Sequence, residues 1–486
     1  MPSSSAGLPP FPCTSAFFRR RPFRDERLRS DTNAPRMREF VAFVSHTSLC
    51  RHMFVTLGCK VCAAIETPKT QTTMLKTTIT LSLALAATAF AGTPQVTKTE
   101  KKEDSIYDTL WNYPTLYKNK DASFLNEFRI VGRAHFDMYN VNGNSLGSDQ
   151  DWVVRRLRIG TKASFFHNKL DLHVETDLMP QNLGGALFVG DPTYQRLTDA
   201  YVSWKFSDAL KLTVGKQSVK FTLDGGTSSN ELLTIDRSNL ANNLWFPTEY
   251  ISGVSLSGKV GAFQYNTGIF SGGSIYAAQS NFAGSSKEFG NFNGGNFWLG
   301  SIGYDFAKSL GVKKALLRAD FIYNDPSTNS NATRNFSQIG SLNFQLDAGR
   351  WGFSTDIAAG NGSLLQSDVF GATVMPWFNV TDKLQFVGRY TYMTSADPDG
   401  LRFNRYENTL AVNTNKNGTF KTNKLGAVST QRGDEYNEIY LGLNYFLYGH
   451  KLKLQTGWQY AWMKDAARNG GRFDGWTWTT GLRVSW

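Results

Sequence analysis

From Phe128 onward the chain alternates apolar and polar residues with a period of two. In "FRIVGRAHFDMY", Phe128, Ile130, Ala134, Phe136 and Met138 fall on one side, and Arg129, Arg133, His135 and Asp137 on the other. "RRLRIGTKASF" sets Arg155, Leu157, Ile159, Thr161, Ala163 and Phe165 against Arg156, Arg158, Lys162 and Ser164. "LDLHVETDL" alternates throughout, and the closing "WTWTTGLRVSW" puts Trp476, Trp478, Leu482, Val484 and Trp486 on one face and Thr477, Thr479, Arg483 and Ser485 on the other. In extended backbone successive side chains point to opposite faces, so each segment predicts a β-strand with one greasy side and one wet side. Such segments begin near Phe128, Arg155, Leu170, Thr198, Leu210, Ser252, Ala262, Phe297, Leu316, Ser341, Gly352, Val369, Leu384, Asn437, Lys451 and Gly475. Repeated alternating segments of about ten residues, even in number, are the mark of a transmembrane β-barrel.

Connection lengths support this reading because short and long ones take turns. The short ones lie at His167–Lys169, Ser207–Ala209, Lys259–Gly261, Asp347–Arg350, Asn379–Asp382 and Leu447–His450. The long ones, rich in Gly, Asn and Ser, run Asn140–Asp151, Phe221–Tyr250, Ser271–Asn296, Asn324–Ser337, Met393–Glu435 and Met463–Asp474. The expected architecture is all-β: an antiparallel transmembrane barrel of about 16 strands, with short turns toward the periplasm and long loops outside. A meander of this kind closes without an exposed edge. Trp204, Tyr390, Tyr392, Tyr445, Trp458, Tyr460, Trp462 and Trp476 are placed to form interfacial girdles. Trp486, the terminal aromatic of the last strand, is the expected signal to the barrel-assembly machinery.

Composition adds one exclusion. The 486 residues are 14% aromatic and include 44 Gly, with a mean hydropathy of −0.33. No stretch after Ala91 approaches the roughly 20 apolar residues of a spanning helix, so a spanning structure has to be a closed barrel. The chain before it has a different character. Met1–Thr73 is rich in Arg, Pro and Ser, holds all four cysteines (Cys13, Cys50, Cys59, Cys62) and has no strand periodicity. "MLKTTITLSLALAATAFAG" then supplies Lys76, an apolar run and Ala89-Phe90-Ala91, the parts of a secretory signal peptide. The expected divisions are an upstream extension, 1–73, preceding the true initiator Met74; a signal peptide, 74–91; a short periplasmic segment, 92–126; and the barrel, 127–486. Of 52 Lys and Arg, 12 lie at or before Ala91, and of 40 Asp and Glu, 5 do; the remainder carries an excess of +5 rather than +12. The basic balance is therefore no argument for nucleic-acid binding.

"LTDAYVSWKFSDALKLTVGKQSVKF", "NELLTIDRSNLANNLWFPTEYISGVSLSGK" and "EYNEIYLGLNYFLYGHKLKLQTGWQY" resemble the phosphate-selective porin O/P family, with the likeness running from Glu127 to Trp486. The resemblance implies a homotrimeric 16-stranded porin in the bacterial outer membrane, a long third loop folded into the pore, and a basic constriction that attracts small anions such as phosphate.

Face assignment supplies the pore chemistry. Arg129, Arg133, Arg156, Arg158 and Lys162, with Lys205 and Lys211 further on, fall on the lumen side. Arg and Lys in series favour anions, because guanidinium forks match phosphate oxygens and several weak sites let an ion leave as well as bind. The opposing possibility is pairing with Asp171, Glu175 and Asp177 on the third strand. The loop Phe221–Tyr250 is the expected constriction, with Lys220, Arg237, Asp236 and Glu231 as its charged candidates. The expected function is a water-filled diffusion channel with moderate anion preference. The alternatives are a non-selective porin or a plugged adhesion barrel. No catalytic constellation, cofactor motif or metal-ligand spacing occurs; His173 and Glu175 are read as a solvated lumen pair.

Overall fold

The computed structural model describes residues 105–143, 146–178, 194, 196–244, 250–272, 289, 292, 295–324, 332–364, 366–412 and 432–486. The proposed upstream extension and signal peptide lie outside them. Helix α1 (Ile106–Asn112) and a short strand β1 (Thr115–Lys118) precede the barrel. The barrel strands are β2 (Leu125–Gly143), β3 (Gly147–Phe165), β4 (Leu170–Asp177), β5 (Arg196–Ser207), β6 (Leu210–Ser218), β7 (Tyr250–Val260), β8 (Phe263–Ser271), β9 (Asn296–Asp305), β10 (Lys314–Asn324), β11 (Phe336–Asp347), β12 (Trp351–Gly362), β13 (Val369–Asn379) and β14 (Leu384–Ser395). A two-residue pair, β15 (Leu401–Arg402) and β16 (Arg432–Gly433), lies in the loop that follows, and β17 (Glu435–Tyr448), β18 (Leu452–Lys464) and β19 (Phe473–Ser485) complete the wall.

Each barrel strand pairs antiparallel with its neighbours, and β19 pairs with β2 from Ser485↔Arg133 to Gly475↔Gly143. The ring closes with 16 strands, one at each predicted segment. The alternation of short and long connections holds around most of the ring, except that 306–313 on the short rim is longer than 363–368 on the long rim. One expected long loop is shorter: β2 and β3 stay paired as far as Gly143↔Gly147, so 140–143 and 147–151 are strand rather than loop.

The two faces separate as the pattern demands. Ile159, Val174, Val202, Val254, Ile302, Leu342, Ile357, Leu441, Leu454 and Trp478 are exposed large apolar residues on the outside. The alternate positions Asp137, Arg158, Asp320, Asp356, Arg389, Glu438, Lys453 and Arg483 are buried inside. A one-residue slip would carry these charges into hydrocarbon at roughly 2–4 kcal/mol each for Arg or Lys near the midplane, which fixes the register.

The seam between the first and last strands has an added part. Strand β2 runs eight residues past the end of its pairing with β19 at Arg133. Trp486 exchanges backbone hydrogen bonds with Gly132, the Pro114 carbonyl accepts from the Ile130 N–H, and β1 takes over at Thr115↔Arg129. Residues 114–118 thus continue the line of the last strand and cover the edge of β2 that it leaves open. Helix α1, capped by Ser105 and Asp108, docks beside them. Trp111 donates to the Ser485 carbonyl at 2.5 Å, and Asp108 accepts from the Tyr448 hydroxyl at 2.6 Å.

Candidate channel constriction

The connection between β6 and β7 is the third on the long-loop rim, and it turns back into the barrel. Its two short helices, α2 (Leu223–Gly226) and α3 (Asn239–Leu244), are buried, as are Phe221, Leu232 and Ile235. Leucines hold its ends. A Cβ at Gly371 would stand 2.7 Å from a Leu240 methyl carbon, and one at Gly360 2.9 Å from a Leu244 methyl carbon, so these two wall glycines leave the space that α3 fills. Polar groups from the wall hold the middle. The Asp356 carboxylate accepts from the Leu223 N–H at 2.7 Å, and Arg318 donates to the Thr222 carbonyl at 2.6 Å. Lys453 donates to the Leu232 carbonyl at 2.6 Å, and Asn444 to the Leu233 carbonyl at 2.9 Å. Arg389 donates to the Thr234 hydroxyl and to the Asp236 carbonyl, each at 2.9 Å. The segment is therefore fastened to strands on opposite sides of the barrel, and it lies across the lumen.

The predicted basic residues divide into two groups. Arg133 lies 3.1 Å from Glu175 and donates to Ser229 of the inserted loop. Arg158 is fully buried, bonded to Asp177 at 2.5 Å and to the Tyr250 hydroxyl at 2.6 Å. Arg129 stands 3.9 Å from Glu127, and Arg156 is buried opposite His135 on the next strand. Lys205 pairs with Asp208 at 2.6 Å in the short turn. By contrast, Lys162, Lys211 and Lys220 make no ion pair among the described residues. Within the loop, Arg237 is buried and donates to the Asp224 and Thr227 carbonyls, a structural role, while Glu231 is exposed. Asp236 bridges Arg155 at 3.3 Å and Arg405 at 3.2 Å.

Arg155 departs from the strict alternation. His135 opposes Arg156 but Phe136 opposes Val154, so Arg155 is the extra residue of a β-bulge. The bulge turns Arg155 from the lipid side to the inside, where it meets Asp236. The pattern of residues gives no sign of this. Several lumen groups outside the sequence expectation also contribute: Arg318 with Asp320 at 2.8 Å, Arg389 with Glu438 at 2.7 Å, Arg196 with Asp177 at 2.9 Å, and Arg483 with Asp137. Each lies on an inward position of an alternating strand, which is the signal that could have found them.

Above the loop, toward the long-loop rim, the inside of the barrel is apolar. Tyr139, Val153, Ile251, Phe270, Leu299, Ile322, Ile339, Val369, Met393, Tyr436, Met463 and Phe473 form one buried cluster around the mouth. Helix α4 (Ala307–Leu310) lies in the connection between β9 and β10, and helix α5 (Arg405–Val412), from the connection between β14 and β17, adds Tyr406 and Leu410 to the cluster. Glu407 on this helix is buried and accepts from the Asn404 N–H, the Tyr436 hydroxyl and the Gln459 amide at 2.7–2.9 Å. Burial pushes its carboxyl up to about 7, with Glu438 adding to the rise.

This closed barrel with an inserted third loop is the setting for the comparisons. A sequence model of the family described as phosphate-selective porin O and P matches residues 128–289, from β2 into the connection after β8. That match spans about a third of the chain and the first seven barrel strands. With its closed 16-strand wall, the chain is an outer-membrane channel protein. Among solved structures it is similar to the outer membrane channel DcaP of Acinetobacter baumannii (11% identity, TM-score 0.46, covering 76% of this chain and 100% of that one). It is also similar to an anion-selective porin from Comamonas acidovorans (12% identity, TM-score 0.47, covering 74% and 99%). A third is OmpF of Salmonella typhi (11% identity, TM-score 0.48, covering 76% and 100%). No curated protein matches the sequence.

Proposed function

We propose that this channel passes small anions, phosphate among them, in preference to cations. The observation that carries the reading is the division of the lumen cations. Arg133, Arg158, Arg389 and Arg483 are matched by carboxylates, and Arg133, Arg389 and Arg483 also bond the inserted loop, whereas Lys162, Lys211 and Lys220 meet no carboxylate partner among the described residues. Lys220 is exposed and within coulombic range of Lys211 and Arg318, with Glu231 as the opposing charge. Lys314 lies in the field of the same Arg318. With the charge of Arg318 met by Asp320, the three lysines on β6, the inserted loop and β10 leave a local excess of positive charge beside the constriction, and several weak sites in series allow an ion both to bind and to leave. We further propose a homotrimer, in line with the family resemblance, and insertion into outer-membrane lipid by the barrel-assembly machinery acting on Trp486.

The reversal potential of the purified protein in a potassium chloride gradient tests the reading. Wild type should favour chloride, and neutralising Lys162, Lys211 and Lys220 to Gln should move the potential toward zero. Potassium preference in wild type, or a potential unmoved by the triple substitution, would refute it. A plugged binding barrel is the second reading. It is favoured by the apolar cluster at the mouth, and absence of any single-channel conductance would establish it.

A further inference from the structure

We propose that His173, Glu175 and Asp199 form a binding site for one divalent transition-metal ion, such as zinc, on the lumen wall between β4 and β5. His173 and Glu175 are two apart on β4 and so share the inward face, and Asp199 is the direct cross-strand partner of Glu175 on β5. One ligand atom from each lies within 4.8 Å of the other two. Ligands of a tetrahedral ion at about 2.0–2.1 Å are roughly 3.4 Å apart, so side-chain movements of about 1 Å close the site. Sequence spacing shows the His-x-Glu pair alone, because Asp199 arrives only through strand pairing.

A second observation points to a ligand. His173 Nδ1 contacts the Tyr201 hydroxyl at 3.3 Å, while its Nε2, buried and 3.9 Å from Glu175, makes no hydrogen bond among the described residues. A ring whose Nδ1–H donates to an oxygen presents its Nε2 lone pair outward, the orientation that metal-binding histidines take from their outer partners. Glu175 has its own outer partners. Arg133 reaches both of its oxygens, at 3.1 and 3.3 Å, while Arg158 at 3.7 Å and Thr198 at 3.4 Å approach one of them, an arrangement that holds the carboxylate in place. Lys162 faces His173 across the β3–β4 pair, and Asp171 and Asp177 lie on the same strand face. One nitrogen and two carboxylate donors suit zinc, cobalt or nickel better than magnesium, which prefers all-oxygen coordination. The site sets a divalent charge beside Arg133 and so couples metal to the field of the pore.

The test is a cobalt titration of the folded, detergent-solubilised protein after chelator treatment, read by visible absorption. Wild type should show saturable bands with one ion per chain. His173→Gln and Asp199→Asn, each checked for heat-modifiable migration as folded barrel, should lose them, and Tyr201→Phe should weaken binding by about 10–100-fold. Absence of saturable bands in wild type, or equal binding in folded His173→Gln, would overturn the proposal. The readout is independent of ion selectivity, so its failure leaves the anion reading intact and its success does not depend on that reading.

Discussion

Replacing Asp236 by Asn should loosen the inserted loop without unfolding the barrel. Asp236 is the acidic contact of the loop with Arg155 on β3 and Arg405 on α5, and all three side chains are largely buried. Removing one partner of a buried ion pair is destabilising by about 3–5 kcal/mol, because the opposing charges stay in a poorly hydrated place. The neighbouring grips of the loop are Lys453 to the Leu232 carbonyl, Asn444 to the Leu233 carbonyl and Arg389 to Thr234. At about 1 kcal/mol for a typical bond and somewhat more for the charged donors, they and Arg389 on the Asp236 carbonyl keep the loop backbone attached while its end against β3 and α5 comes free. The backbone ladder of the wall is untouched. A local loss of about 3 kcal/mol shifts the open-to-closed ratio of that end by about a hundredfold. Single-channel recording in planar bilayers is the assay. The Asn variant should show higher mean conductance and frequent flicker, and Asp236→Glu should stay near wild type. A double-mutant cycle with Arg155→Gln should reveal coupling, since the pair shares one contact. Folded Asp236→Asn protein with the conductance and noise of wild type would show that Asp236 does not hold the constriction.

Three further outcomes are expected. Because the Glu407 carboxyl is held at about 7 in the folded protein against 4.5 for an unperturbed group, the folded state binds the extra proton between these values. Packing of α5 should therefore weaken as pH rises from about 5 through 7, by about 3 kcal/mol in all, and Glu407→Gln should abolish that dependence; hydrogen exchange of α5 measures it. Deleting Trp486, or replacing Trp111 by Ala, should reduce the heat-modifiable folded fraction in the membrane while synthesis is unchanged, which a gel-shift assay against total protein reads. The mature outer-membrane protein should begin at Gly92, and peptides covering "RRRPFRDER" in that fraction would contradict initiation at Met74.

The strands were legible because a lipid-facing wall allows little freedom. Leu172 and Val174 must meet hydrocarbon and His173 and Glu175 must not, so each residue of "LDLHVETDL" declares its side. Where one residue broke the alternation, the declaration failed. Arg155 shares the sequence parity of Leu157 and Ile159, yet the bulge opposite His135 carries it inward, and only the pairing of β2 with β3 reveals it. The position of the third loop was also readable from length and place, but its fastening was not. Asp236 meets Arg405 across more than 160 residues of chain, and Leu223 meets Asp356 across 133. No local pattern encodes contacts of that span.

The separate fates of arginine and lysine follow from the same geometry. A guanidinium stays charged and offers five donors in a plane, so an inward Arg near the wall can bond a carboxylate and a loop carbonyl or hydroxyl together. Arg133 and Arg389 each do so, joining Glu175 to Ser229 and Glu438 to Thr234. Such residues fasten the insert to the barrel, and their charge is largely cancelled where they stand. An ammonium is more strongly hydrated and gains less from a fixed partner, so it suits a position facing water. Lys211 and Lys220 occupy such positions beside the insert, with Lys162 three strands away on β3. Substituting Arg158 should therefore act on barrel stability first, since it is bonded to both Asp177 and Tyr250 in the wall. Substituting the three lysines should act on the current alone. A selectivity change from Arg158→Gln larger than that from the lysine triple, in equally folded proteins, would reverse this assignment of roles.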